Sequence, residues 1–220
     1  MDVVLIGAGG HGKVVLDILR MAGGVRPIGF LDANEAMKGT EVDGLPVLGG
    51  VNLLPKLRQQ KIKAAIVSIG GNRVRQIYAK LVLDSGMELI NAVHPAVIIS
   101  TTAKVGRNVV VAAGAIIGTD AIIGDSSIIN TGAIVDHECE IGEGCHICPG
   151  AMLAGRVRVG TGAFVGLGAK VIQCLSVGEY ATIGAGAVVI RDIPAHATAV
   201  GVPARILTAA AVQPVELTKF

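Results

Sequence analysis

The sequence predicts two units of different class: an α/β unit of Rossmann-like type, followed by a parallel β-helix. Three observations carry this. An aliphatic residue recurs every six positions without a break from Val93 to Val189. The chain opens on an apolar run, Val3-Val4-Leu5-Ile6, that leads straight into Gly7-Ala8-Gly9-Gly10-His11-Gly12. Aromatic residues make up only 2% of a chain that is 51% hydrophobic. A six-residue period fits neither the 3.6 of a helix nor a hairpin array, and it marks a solenoid of short parallel strands. The scarcity of aromatics suits a narrow interior filled by Val, Ile and Ala.

Taken in order, residues 2–6 read as a buried parallel strand, and the glycine turn precedes an apolar helical pattern of Val14, Val15, Ile18 and Leu19. G-x-G-x-x-G opening a helix is a phosphate-binding turn, so Gly7, Gly9, Gly10, His11 and Gly12 are candidate nucleotide-binding residues. A second strand, Ile28 to Leu31, ends at Asp32, 20 residues past Gly12, where a dinucleotide fold carries its ribose-binding acid. A polar segment, 34–50, leads to a helix at about 51–60 and a third strand over 64–69. Gly70-Gly71-Asn72 follows, with Asn72 as the expected N-cap of the next helix. Gly70 and Asn72 then sit at the carboxyl ends of parallel strands, where open α/β sheets bind ligands. Arg73 and Arg75 fit either a solvated helix face or this site. Residues 87–91 read as a last short strand, which puts the boundary near residue 90.

The hexads from residue 91 onward have an internal grammar. The aliphatic residue points inward, and the fifth position is small, as in Ala103, Ala115, Ala133, Cys139 and Cys145. Glycine often follows the aliphatic residue, as at Gly106, Gly118, Gly124, Gly142 and Gly160, permitting a bend or a close backbone approach. Three hexads make one 18-residue coil. After Val189 the pattern stops, and the turn-rich segment 199–205 reads as a cap that closes the β-helix domain, 91–207, against edge pairing. The tail, 208–220, is Ala-rich and carries no motif.

Composition excludes several function classes. A net charge of +2 without a basic run argues against nucleic acid. No apolar run reaches the roughly 18 residues of a membrane span, and the N-terminus begins a strand without a targeting pattern, so a cytoplasmic protein is expected. Cys145-His146-Ile147-Cys148 resembles a metal pair, but Cys145 falls on the small inward position and no second pair follows, so no metal is expected.

One coil has a reactive surface. His137 is the third residue of its hexad, at a bend, and His146 is the sixth of a later one, facing outward from a strand. Nine residues separate them, half a coil, so within one chain they lie on opposite sides of the prism. The two can share a site only if a second chain brings corner against face, which a threefold assembly does three times.

These motifs together resemble the bacterial sugar O- and N-acetyltransferases that join an N-terminal nucleotide-sugar domain to a left-handed β-helix. The resemblance rests on Gly7 to Val15, on the hexads, on Val135-Asp136-His137-Glu138-Cys139 and on Gly201-Val202-Pro203-Ala204-Arg205. It points to the N-acetyltransferases acting on nucleotide-linked 4-amino-dideoxy sugars of the bacillosamine and perosamine type, with sialic-acid O-acetyltransferases as relatives. It implies left-handed coiling, a homotrimer, and acetyl-CoA bound between neighbouring prisms. By resemblance, His137 is the catalytic base and Glu138 its acidic companion. His146, Gly155, Gly201 and Pro203 would meet acetyl-CoA, and the Gly-rich turn, Asp32, Gly70 and Asn72 a UDP-, GDP- or dTDP-linked amino sugar rather than NAD. From residue types alone, Asp136 or Glu140 could equally orient His137. The alternatives are O-acetylation of a sialic-acid-type sugar and, from another class, a nucleotide-binding oxidoreductase or regulatory trimer.

Overall fold

The computed structural model describes residues 1–207 and divides into two compact units, Met1–Pro95 and Ala96 onward. The division falls five residues beyond the expected boundary. The proposed tail lies outside the described residues.

The first unit is an open α/β sheet. Its elements are β1 (Asp2–Ile6), α1 (Gly10–Ala22), β2 (Arg26–Leu31), β3 (Glu41–Val42), β4 (Leu45–Gly49), α2 (Leu54–Gln59), β5 (Ala64–Val67), α3 (Asn72–Asp84) and β6 (Glu88–Leu89). The sheet order is β3-β4-β2-β1-β5-β6, parallel except for the β3–β4 hairpin. β1 and β5 are buried on both faces, which is why they read as continuous apolar runs instead of alternating ones. The chain runs outward from β1 through β2 and β4, then returns to the other side of β1 at β5. The switch therefore lies between β1 and β5, at whose carboxyl ends ligands bind in such sheets.

Two local expectations are corrected. The segment 34–50 is not merely connecting chain: it contains a 3-10 turn at Glu35–Met37 and the β3–β4 hairpin. Asp43 and Gly44 form the hairpin turn with φ of 48° and 74°, so the Asp-Gly dipeptide was the available signal. Asn72 is the first residue of α3 rather than its cap. Gly71 holds the cap position and no side chain caps the helix.

The second unit is the left-handed β-helix. Identical hexad positions pair across an 18-residue register on three faces. They run Ile98, Ile116, Ile134, Met152, Lys170; Lys104, Ile122, Glu140, Arg158, Ser176; and Val110, Ile128, His146, Phe164, Thr182. The inward aliphatic residue is buried from Val111 to Val189, while Ile99 and Val105, in the first coil, are partly exposed. Small polar residues at the fifth position are satisfied by the next coil. Ser127 Oγ, Cys139 Sγ and Cys145 Sγ donate to the carbonyls of Gly142, Ala154 and Gly160 at 2.9, 3.2 and 3.1 Å. Burial pushes the Cys139 thiol up and the Cys148 thiol up to about 12, so both behave as core residues.

The bend and the close approach fall on different hexad positions. Glycine at the second position serves close approach: a Cβ at Gly124 or Gly142 would stand 2.7 or 2.6 Å from the next coil's backbone. The bend is at the fourth position, where Gly114, Gly132, Asn108, Asp120, Glu138 and Arg156 all have φ between 56° and 70°. Glycine adopts this left-handed region freely, whereas other L-residues lose roughly 1–2 kcal/mol there, Asn and Asp less.

Beyond Val189, strands Thr198–Val200 and Arg205–Ile206 pair antiparallel and form the expected cap. The loop between them contains a cis Val202–Pro203 bond and is held by Val188, whose N–H donates to the Gly201 carbonyl and whose carbonyl accepts from Ala204.

Candidate active site

In the first unit the glycine turn shapes a cleft. Gly7 has φ of 103°, and a Cβ there would stand 2.6 Å from the Ile69 side chain. At Gly12 a Cβ would collide with the Gly7 carbonyl, so this glycine lets α1 close onto β1. Gly9 and Gly10 have open space around them, and Gly9 caps α1 without a side-chain bond. Such a helix start favours an anion.

A cleft of about 300 Å³ is lined by Gly7, Gly9, His11, Asp32, Ser68 and Tyr78, with Leu31, Val51, Ile69 and Val74 giving it an apolar wall. It gathers four of the predicted residues. Gly10, Gly12, Gly70 and Asn72 are not in its lining. The Asp32 carboxylate is already engaged, accepting from the amides of Ala8 at 2.8 Å and Asn34 at 2.9 Å. It therefore ties the tip of β2 to the glycine turn. A second hollow of about 330 Å³ shares Asp32 and Ala33 and adds Glu35, Lys38 and Asn52.

The loop after β5 is organised by a residue that sequence left undecided. Arg75 is wholly buried, so the solvated-face reading fails for it, while Arg73 is exposed. Arg75 Nη1 donates to the carbonyls of Ile69 at 3.0 Å and Gly70 at 2.9 Å, and Nη2 donates to Asn72 Oδ1 at 3.0 Å. Gly70 and Asn72 thus present these oxygens to the arginine. Burial, and then the charge of Arg75, push the His11 imidazole down to about 4, so the cleft carries a neutral histidine at cellular pH.

In the second unit His137 stands at the corner between the Ile134 and Glu140 faces. Its Nδ1 lies 3.0 Å from Glu138 Oε2, and its backbone N–H donates to Asp136 Oδ1 at 2.7 Å. Glu140 lies 3.6 Å from Arg158 instead. The question left open among three carboxylates is thereby answered in favour of Glu138. Glu138 Oε2 also accepts from Arg156 Nε at 2.9 Å, from one coil further on. The His137 bond first, and the Arg156 bond second, hold the Glu138 carboxyl below its usual range. With Nδ1–H donating to a carboxylate, Nε2 is the basic edge of the ring.

Gly155 stands one coil after His137. A Cβ at this position would collide with the Nε2 and Cε1 edge of the imidazole, so the ring can lie here only because residue 155 has no side chain. Shallow grooves flank the corner. One, of about 300 Å³, is lined by Ile134, Asp136, Met152, Lys170 and Ile172; the other, about 480 Å³, by Glu140, Arg158, Ser176 and Glu179.

His146 lies on the third face. Its Nε2 is 3.0 Å from Asn130 Nδ2, and its ring meets Phe164 edge-on with centroids 5.3 Å apart. His137 and His146 are therefore not neighbours within one β-helix. Gly201 and Pro203 are exposed in the cap loop. Sequence reasoning missed Tyr78, Ser68 and Arg156 and left Arg75 undecided. Only Arg156 had a signal, the one-coil register that stacks it on Glu138.

Comparison with known proteins follows the same division. Residues 2–82 match the PglD N-terminal domain, and residues 120–155 match the bacterial transferase hexapeptide family (six repeats). A variant of GDP-perosamine N-acetyl transferase from Caulobacter crescentus, solved with CoA and GDP-perosamine, is 44% identical, covers 94% of this chain and 97% of its own, and superposes with a TM-score of 0.91. The acetyltransferase domain of PglB from Neisseria gonorrhoeae, in complex with acetyl coenzyme A, is 38% identical over 94% and 98% of the two chains, with a TM-score of 0.89. Among curated proteins, the redox-sensing transcriptional repressor Rex 1 of Enterococcus faecalis is 31% identical over 81 residues, and the match spans 38% of that relative's length. Agreement with the two acetyltransferases runs through both units, so the chain belongs to the family of nucleotide-sugar N-acetyltransferases with a PglD-type N-terminal domain and a hexapeptide-repeat β-helix.

Proposed function

We propose that this protein transfers the acetyl group of acetyl-CoA to the 4-amino group of a nucleotide-linked amino-dideoxy sugar, with His137 as general base. The observation that carries the reading is the His137–Glu138 pair, whose basic Nε2 edge lies over the bare backbone of Gly155. A neutral sugar amine attacks the thioester carbonyl carbon. The new N–C bond forms as the amine proton passes to Nε2, the C–S bond then breaks, and the imidazolium returns its proton to the departing CoA thiolate. Glu138 keeps the ring in the required tautomer and stabilises the imidazolium. Positioned proton transfer of this kind contributes about 10²–10⁴-fold. Cys139, Cys145 and Cys148 are buried core thiols, and the exposed Cys174 stands two coils beyond Glu138, so the reading takes direct transfer in a ternary complex over an acyl-enzyme. A backbone amide or His146 would meet the developing oxyanion.

The cleft at the glycine turn would take the nucleotide diphosphate, at the uncapped start of α1. The GDP-perosamine complex of the Caulobacter relative makes a GDP-linked sugar the first to test. The reading includes a homotrimer, since His137 and His146 can cooperate only between chains. The Ile134 face, beside the His137 corner, exposes Ile98, Met152, Ile172 and Ile190 by 39 to 65%, an apolar strip suited to a neighbouring prism. It also includes a cytoplasmic setting in glycan assembly, in keeping with free thiols. Among the described residues no helix is long and apolar enough to cross a membrane.

The test is thiol release from acetyl-CoA against a panel of GDP-, UDP- and dTDP-linked amino sugars and their hydroxyl counterparts. Release should require the amine and fall at least about 100-fold in His137→Ala. Activity surviving that substitution removes His137 as base. Preference for hydroxyl acceptors would make the enzyme an O-acetyltransferase, and tight NAD(H) binding without CoA binding would overturn the reading altogether.

A further inference from the structure

The corner that carries His137 is served by the coil that follows it. The 18-residue register stacks Gly155 on His137 and Arg156 on Glu138, and Arg156 N–H donates to the His137 carbonyl at 2.9 Å. We infer that Arg156 is a positioning residue: its guanidinium anchors Glu138 so that the carboxylate holds the His137 ring with its Nε2 edge over Gly155. The inference rests on the acetyl-transfer reading, since it gives that base its orientation.

The geometry supports it in three ways. A single oxygen, Glu138 Oε2, accepts from both His137 Nδ1 and Arg156 Nε, so the arginine fixes the very atom that fixes the imidazole. The glutamate side chain is 46% exposed on a surface turn and would otherwise sample several rotamers, an entropy cost that a second bond from the neighbouring coil absorbs. Glu138 and Arg156 also occupy left-handed bends, with φ of 57° and 62°, a position elsewhere filled mostly by Gly, Asn, Asp or Ser. Backbone comfort did not select them, and strained positions of this sort are found where function demands the side chain.

A second arginine–carboxylate rung in the array differs. Arg107 and Asp125 lie one coil apart and pair at 2.9 Å, but there the carboxylate also takes the arginine's own backbone N–H and adjoins no histidine. Around His137 the other charged groups are Asp136, occupied by the His137 amide, and Asp120, which precedes Glu138 by one coil in the same corner column. Lys170 lies in the groove on one side, and the Glu140–Arg158 pair on the other.

The test uses Arg156→Gly, which removes the guanidinium and relieves the left-handed backbone, so the fold is retained and a thermal melt checks it. Arg156→Lys keeps the charge without the planar fork. With saturating substrates kcat should fall about two- to fivefold in Arg156→Gly, the range an exposed ion pair supports, and recover partly in Arg156→Lys. KM for acetyl-CoA and for the sugar nucleotide should hold. In a Glu138→Gln background Arg156→Gly should cost nothing further, because its route to the histidine is already cut. An equal loss in both backgrounds would overturn the inference. Ring ¹⁵N shifts of His137 provide a readout independent of turnover: the share of the tautomer protonated at Nδ1 should fall in Arg156→Gly. An unchanged tautomer balance sinks the inference even if the enzyme transfers acetyl groups, and a shifted balance in a protein without transfer activity sinks the functional reading alone.

Discussion

Each unit of this protein uses an arginine to hold a loop at its candidate site, and the two work in opposite surroundings. Arg75 is wholly buried and donates to the carbonyls of Ile69 and Gly70 and to Asn72, so the loop beside the glycine-turn cleft is built around a desolvated cation. Arg156 is 62% exposed and holds one glutamate oxygen across a coil boundary. A buried cation must be fully paired, and its removal strands the acceptors it served. An exposed ion pair is screened by water and contributes little to stability, so its value lies in orientation. The α/β unit keeps its site by interior bonding. The β-helix keeps its site by placing side chains on a rigid lattice.

Three measurements sharpen this contrast, the largest first. Arg75→Met should lower unfolding free energy by about 3 kcal/mol, since each stranded buried carbonyl costs about 1–3 kcal/mol. Urea denaturation reads it, and a loss below about 1 kcal/mol would mean that the loop does not depend on the arginine. Next is His11. Its folded-state value of about 4 lies below the ordinary 6.5, so the fold binds fewer protons than the unfolded chain between those limits. Stability contributed by the neutral ring is complete above about pH 6.5 and is lost as pH falls toward 4, by at most about 2–3 kcal/mol given the partial exposure of the ring. His11→Gln should flatten that part of the stability–pH curve; an unaltered acid slope would assign it to other groups. The smallest effect belongs to Asp125→Ala, which removes the exposed rung to Arg107 and should cost about 0.5–1 kcal/mol. A loss as large as that of Arg75→Met would erase the distinction between the two regions.

Much of the architecture was legible because the hexad period and the β1-to-α1 glycine turn are local, repeated signals. In the prism each inward residue meets the same environment every six positions, so Val111 through Val189 could be read one at a time. The β3–β4 hairpin was harder to see, because β3 is two residues long and Pro46 interrupts the apolar run of β4, which left Asp43-Gly44 as its mark. The corner position of His137 followed from counting residues, and so did the placing of His146 on another face.

Sequence by itself determined the period, the class of both units, the glycine turn and the half-coil offset of the two histidines, since each depends on spacing along one chain. Tertiary structure alone decided which carboxylate meets His137, that Asp32 is tied to the glycine turn, that Arg75 is interior, and that glycine at the second hexad position serves close approach while the fourth makes the bend. These depend on side-chain direction and on what lies 18 or more residues away. Asp136, Glu138 and Glu140 are chemically alike in the sequence, and side-chain direction separates them: Glu138 reaches the His137 ring, Asp136 takes the His137 amide, and Glu140 turns to Arg158.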